Sequence, residues 1–220
     1  MFKRNQVEEA IAFVFEGGSA KPSSELSTRI KRLLDTDRGL GRKRRSADPE
    51  RANYAFYSTE MPGRGSEIWF SDYEVFALLT GLRMMWHGSP QSFVVAALRR
   101  VRPELERQYA RILGRDRADD FGEQLTRQRA RPGDIAVDAA DPIFLGILSP
   151  DPENPSGSNR VAVFGSQEQL IGLLTSQKAG SGLTAYELVN SVHGVWSALA
   201  KTTPRRRGRE IQKRNKGAKN

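Results

Sequence analysis

The chain has no cysteine. That absence excludes disulfides, thiol catalysis and thiolate zinc sites, and it fits a cytoplasmic protein. Histidine is almost as scarce: His87 and His193 are the only two, far apart in sequence. Metal ligation and imidazole-based general catalysis therefore have few candidates, and neither a metal nor a cofactor is expected. There is no run of about eighteen or more apolar residues, so no spanning helix and no membrane partner are expected. The stretch after Met1-Phe2-Lys3-Arg4-Asn5 contains Glu8, Glu9 and Glu16 where a secretory signal would be uninterrupted and apolar, so secretion is not expected either.

What the chain does have is unevenly placed charge. Its net charge is +9, and Lys201 to Asn220 alone carry nine basic residues against Glu210, a local +8. With Ile211 as its one large apolar residue, such a segment cannot bury enough surface to fold alone. We expect a disordered arm whose partner is a polyanion, nucleic acid first, because each neutralised phosphate releases a condensed counterion. Arg205, Arg206, Arg207, Arg209, Lys213 and Arg214 are its candidate phosphate contacts. A solvated tail with no partner is the plainer alternative.

A second basic run lies from Arg29 to Arg45. Arg29, Lys31, Arg32, Arg38, Arg42, Lys43, Arg44 and Arg45 stand there against Asp35 and Asp37, a local +6. From Asp134 to Ala200 the sign reverses to a local −5. A switch of sign along a chain this long suggests two domains with different tasks.

Apolar spacing supplies the elements. Asn5 with Glu8 reads as a capping box opening a first helix, with Val7, Ile11, Val14 and Phe15 on one face and Gly17-Gly18 as its stop. A second helix opens near Pro22-Ser23-Ser24, buries Leu26, Ile30, Leu33 and Leu34, and leaves Arg29, Lys31 and Arg32 largely outside. Two short helices with a tight glycine-containing link, the second one basic, describe a helix-turn-helix. Tyr54–Tyr57 and Glu67–Phe70, around the turn-rich Pro62-Gly63-Arg64-Gly65, read as a β-hairpin, a wing that offers Arg64 to the DNA backbone or minor groove. Ser71 with Glu74 caps the next helix, which carries Val75, Leu78, Leu79, Leu82, Met85 and Trp86 to Gly88. Ser89-Pro90 restarts a helix with Pro at its first position. Pro103 opens another, ended by Gly114, and Asp119 to Ala130 is a further amphipathic piece.

The run Phe70-Ser71-Asp72-Tyr73-Glu74, with Leu78 and Leu82, the break at Gly88 and the restart at Ser89-Pro90, resembles the helix pair that follows the wing in MerR-type transcriptional regulators. The likeness covers about thirty residues well and extends loosely over residues 5 to 100. Arg29-Ile30-Lys31 departs from the Arg and paired tyrosines typical of that family. The resemblance implies that the second helix enters the major groove and the wing touches flanking backbone, with Arg29, Lys31, Arg32 and Arg64 as contacts. It also implies that residues 103–132 lead into a dimerisation helix, giving a homodimer; the alternative is that these helices pack on the winged domain. The family's metal chemistry uses cysteines and does not transfer.

Beyond Gly133 the pattern turns to strands: Ile135–Val137, Ile143–Leu148 and Arg160–Phe164, the last two as a hairpin. Ser166 with Gln169 and Thr184 with Glu187 are read as caps of two helices, whose Leu170, Leu173, Leu174, Leu188, Val192, Val195 and Trp196 would cover the sheet. Asp134, Asp138 and Asp141 cluster, but around Pro142 aspartates are expected for turn reasons alone, and no nucleophile–base set accompanies them, so no enzyme is expected. The expected class is α+β: a winged helix-turn-helix domain at 1–102, a connector or dimerisation segment at 103–132, an α+β module at 133–200, and the basic tail at 201–220. The function expected is sequence-specific binding of double-stranded DNA by a cytoplasmic, nucleoid-associated transcriptional regulator. A non-specific architectural or RNA-associated protein and a protein-interaction adaptor are the alternatives.

Overall fold

The first strand and the first helix are continuous. β1 (Phe2–Lys3) runs straight into α1 (Arg4–Phe15). Gln6 Oε1 accepts the Lys3 N–H at 3.1 Å, which sets the helix start just ahead of Asn5. Asn5 and Glu8 therefore lie inside the helix instead of capping it, and Glu8 pairs with Arg4 at 2.7 Å. In this computed structural model, residues 1–19, 21–58, 68–114, 143–149, 161–176 and 182–204 are described.

Gly17 and Gly18 end α1 at φ +66° and +96°, left-handed backbone that favours glycine. α2 (Ser24–Leu40) opens at Ser23, whose Oγ accepts the Leu26 N–H at 3.1 Å. Its expected stripe of Leu26, Ile30, Leu33 and Leu34 is buried. The link between the two helices, residues 16–23, is eight residues long and α2 is seventeen, so this is no tight pair of short helices.

Tyr54–Tyr57 follow α3 (Pro49–Ala52) and form no strand, although all four residues are buried. β2 (Trp69–Phe70) pairs instead with β1, antiparallel, with Phe2 opposite Phe70 and Lys3 opposite Trp69. The expected pairing of these two segments as a wing is thus corrected. Its physical reason lies in the backbone of residues 54–57, whose polar groups are already satisfied. Ala55 and Phe56 donate their N–H groups to Asp37 at 3.1 and 3.0 Å, and Arg102 Nη1 donates to the Tyr54 and Tyr57 carbonyls at 2.7 and 2.5 Å.

Ser71 and Glu74 form the expected box at the start of α4 (Asp72–Trp86), at 2.7 and 3.2 Å. α5 (Gln91–Leu113) begins one residue after Pro90, which sits at the cap position. It then runs through Pro103 without a break, where a new helix was expected. A proline there removes the N–H that would bond the Arg99 carbonyl. Asn53 Nδ2 reaches that carbonyl at 3.4 Å and supplies a substitute donor. α4 and α5 lie close at Gly81, where an added Cβ would meet Leu98, Phe56 and Val94 at 3.2 to 3.3 Å.

The three remaining strands form one antiparallel sheet of order β4-β3-β5: β3 (Phe144–Ser149) lies between β4 (Val161–Gly165) and β5 (Gly182–Glu187). Phe144–Leu148 pair antiparallel with Val161–Gly165, the two segments expected to pair. Ser166 and Gln169 cap α6 (Gln167–Thr175), which lays Leu170 on the sheet above Gly146. Thr184 caps nothing. It sits in β5 opposite Ile147, and strand pairing overrides the Thr–Glu spacing. Glu187 does cap: its carboxylate accepts the Val189 and Asn190 N–H groups at 2.6 and 2.9 Å, opening α7 (Val189–Leu199).

α7 does not cover the sheet. It packs on α1, α4 and α5, so Leu188, Val192 and Val195 join one continuous core that includes Val7, Ile11, Phe76 and Leu79. Leu173 and Trp196, expected to be buried with them, are exposed. The division expected near residue 133 therefore does not divide the core. The start of the basic tail also belongs to this body. Lys201 Nζ lies 4.5 Å above the Phe13 ring, and Gln6 Nε2 donates to Thr202 Oγ1 at 3.2 Å.

Candidate nucleic-acid interface

The basic run starts on α2 because burying Leu26, Ile30, Leu33 and Leu34 turns the intervening positions outward. Lys31, Arg32 and Arg38 are exposed. Arg29 differs. It is half-buried, pairs with Glu25 at 2.6 Å, and has its guanidinium 5.9 Å from the Trp86 ring.

At Leu40 the chain leaves α2, and Gly41, at φ +58°, turns it. Arg42 is half-buried, with its guanidinium 5.2 Å from the Tyr54 ring. Lys43, Arg44 and Arg45 are exposed on a turn closed by the Ser46 N–H donating to the Lys43 carbonyl at 2.8 Å. The Lys43 N–H itself donates to the Arg51 carbonyl at 2.7 Å, tying the turn to α3. Three consecutive cations are thus held by backbone bonds that leave their side chains outside.

Beneath the turn lies a buried ionic hub. Arg99 Nε donates to Asp37 Oδ1 at 2.6 Å, with the two side chains 3% and 0% exposed. The same guanidinium donates to the Asp37 and Gly41 carbonyls, the latter at 2.8 Å, and to the Glu50 carbonyl at 3.4 Å. Asp37 has its oxygens filled by Arg99 and by two backbone N–H groups. A buried charge pair is tolerated when its remaining donors and acceptors are satisfied in this way. Arg102, one turn further along α5, holds residues 54–58 from the other side through Tyr54, Tyr57 and Ser58. Beside the hub, burial pushes the Tyr57 hydroxyl pKa well up, and the neighbouring Arg38 charge opposes that only in part.

Sequence reasoning placed Arg29, Lys31, Arg32, Arg38, Arg42, Lys43, Arg44 and Arg45 at the site. Lys31, Arg32, Arg38 and Lys43–Arg45 are exposed, whereas Arg29 and Arg42 are engaged with aromatic rings. Arg64, the tail residues Arg205, Arg206, Arg207, Arg209, Lys213 and Arg214, residues 115–132 of the connector, the Ile135–Val137 strand and Asp134, Asp138 and Asp141 lie outside the described residues. Asp37, Arg99 and Arg102 were missed as organisers. One signal was present: Val95, Arg99 and Arg102 recur at helical spacing on a buried face of α5, where arginine needs partners to be tolerated.

Among the described residues, no group of three His, Cys, Asp or Glu side chains could hold a metal ion, and no helix is long and apolar enough to cross a membrane. Comparison with protein families, curated proteins and solved structures gives no match for this chain.

Proposed function

We propose that the chain is a double-stranded DNA-binding transcriptional regulator. Phosphate contacts come from Lys31, Arg32 and Arg38 on α2 and from Lys43, Arg44 and Arg45 on the turn after it. The observation that carries the reading is this set of exposed cations on backbone fixed by the Asp37–Arg99 pair. Cations on a pre-ordered frame engage phosphate without first ordering a loop. The basic arm beyond residue 204 adds sequence-indifferent affinity, Arg64 supplies a further contact, and two copies act together as a homodimer.

A sequence-indifferent nucleic-acid protein is the second reading, and one observation favours it. Recognition helices read base edges with their N-terminal residues. In α2 the cation nearest that end is Arg29, already committed to Glu25 and Trp86, and the exposed cations Lys31, Arg32 and Arg38 lie in the middle and last turn of the helix.

Selection from a randomised duplex pool, with the full chain and with a variant lacking residues 205–220, separates the two. The regulator reading predicts one enriched motif retained by both proteins. Retention with nothing enriched leaves the second reading standing. If removing the arm abolishes all binding, the α2 face is not the interface.

A further inference from the structure

We propose that the cleft between α1, α2 and the C-terminal end of α4 is a binding site for a planar aromatic carboxylate. The site stands independently of whether α2 meets nucleic acid. The cleft measures about 540 Å³, and Phe15, Leu26, Arg29, Arg83, Trp86 and His87 are among its walls. That volume is typical of a small-molecule site, and the lining sets Val14, Phe15, Leu26 and Trp86 beside charged and polar side chains.

Trp86 supplies the stacking surface. It ends α4 with 65% of its area exposed although Phe15 packs edge-on against it, ring centroids 5.5 Å apart at 85°. So large an aromatic surface left in water at the mouth of a cleft gains from a flat apolar partner.

Arg83, one turn earlier on α4, supplies the anion contact. It is half-buried and gives one guanidinium nitrogen to Ser191 Oγ. Its nearby acid, Glu187, has both carboxylate oxygens committed to the Val189 and Asn190 N–H groups. Glu187 therefore lowers the local charge without closing the two-pronged pair that a guanidinium prefers, and a ligand carboxylate can complete it. The two acids in the wall do not block this. Glu16 is turned onto Ser23, accepting its N–H at 3.1 Å and its hydroxyl as well. Glu25 is 72% exposed, and its pair with Arg29 lies where water screens it. Arg29 can turn from Glu25 toward a bound carboxylate while staying close to Trp86.

The test is titration of the full chain with 2-naphthoate and with its neutral analogue 2-naphthylmethanol. The readout is the Trp86 indole N–H resonance, assigned by its loss in Trp86→Phe. The proposal predicts a saturable shift of that resonance with naphthoate, and binding weakened about tenfold or more for the alcohol and for Arg83→Gln. Arg29→Gln, at a partly exposed position, keeps the test open if Arg83→Gln fails to fold; it too weakens naphthoate binding. An unshifted Trp86 resonance overturns the proposal. Equal affinity for acid and alcohol, or arginine variants that bind naphthoate like the parent, overturn it as well.

Discussion

Asp37 and Arg99, sixty-two positions apart, meet at 2.6 Å with both side chains buried, and through them the end of α2, the basic turn and the middle of α5 become one unit. Removing one partner strands the other as a buried charge. Asp37→Ala also leaves the Ala55 and Phe56 N–H groups without acceptors. We expect Asp37→Ala and Arg99→Ala each to cost about 3–5 kcal/mol in urea unfolding. The double variant should cost less than the sum of the two, because each single change already destroys the pair.

Asn53 and Pro103 act on one carbonyl. If Asn53 stands in for the donor that proline lacks, Asn53→Ala should cost about 1 kcal/mol in the parent chain. In a Pro103→Ala background, where a helical N–H is restored, it should cost less, leaving only the loss of the 2.9 Å bond from Asn53 Nδ2 to the Pro49 carbonyl. Pro103→Ala itself should raise the melting temperature. Equal effects of Asn53→Ala in both backgrounds would show that the 3.4 Å contact contributes nothing.

Gly81 sets how closely α4 approaches α5. Alanine is the better helix former by about 1 kcal/mol, yet its methyl would enter contacts of 3.2 to 3.3 Å with Leu98, Phe56 and Val94. Overpacking in a filled core costs about 1–3 kcal/mol, so Gly81→Ala should be net destabilising by about 1 kcal/mol. Thermal melts of the purified variant decide the sign.

Much of this packing is legible in the residues alone, and the reasons for the rest are local. Ser23, Ser71–Glu74 and Ser166–Gln169 mark helix starts because each motif is satisfied within one turn. Asn5–Glu8 has the same spacing but loses to Gln6, which caps earlier. Thr184 has it too, yet Leu183 to Tyr186 pair with β3. Residues 54–57 carry strand-like side chains, but Asp37 and Arg102, far away in sequence, claim their backbone. No local pattern reveals such a partner. The exposed basic face of α2 follows directly from its apolar stripe. The commitment of Arg29 to Trp86 depends on how two helices meet, which spacing does not encode.

Burial raises the pKa of Glu187 above its ordinary 4.5, against the backbone N–H groups that favour its charged form. The folded state therefore holds this proton more tightly than the unfolded state does. Stability attributable to the group is complete below its ordinary pKa and is lost as pH rises from there through the raised folded value. Glu187→Gln should remove that loss, so unfolding measured between mildly acidic and neutral pH should fall less steeply with pH than in the parent. An unchanged slope would contradict the assignment.

The central claim is that Lys43, Arg44 and Arg45 meet phosphate on an ordered turn. The most direct test measures the affinity of the full chain and a Lys43→Gln, Arg44→Gln, Arg45→Gln variant for one duplex DNA across a salt series. Each phosphate contact contributes about 0.9 to the slope of log affinity against log salt, so the variant's slope should be shallower by about 2 to 3. An identical slope in the two proteins would mean that these three cations face solvent, and that any nucleic-acid binding arises elsewhere in the chain.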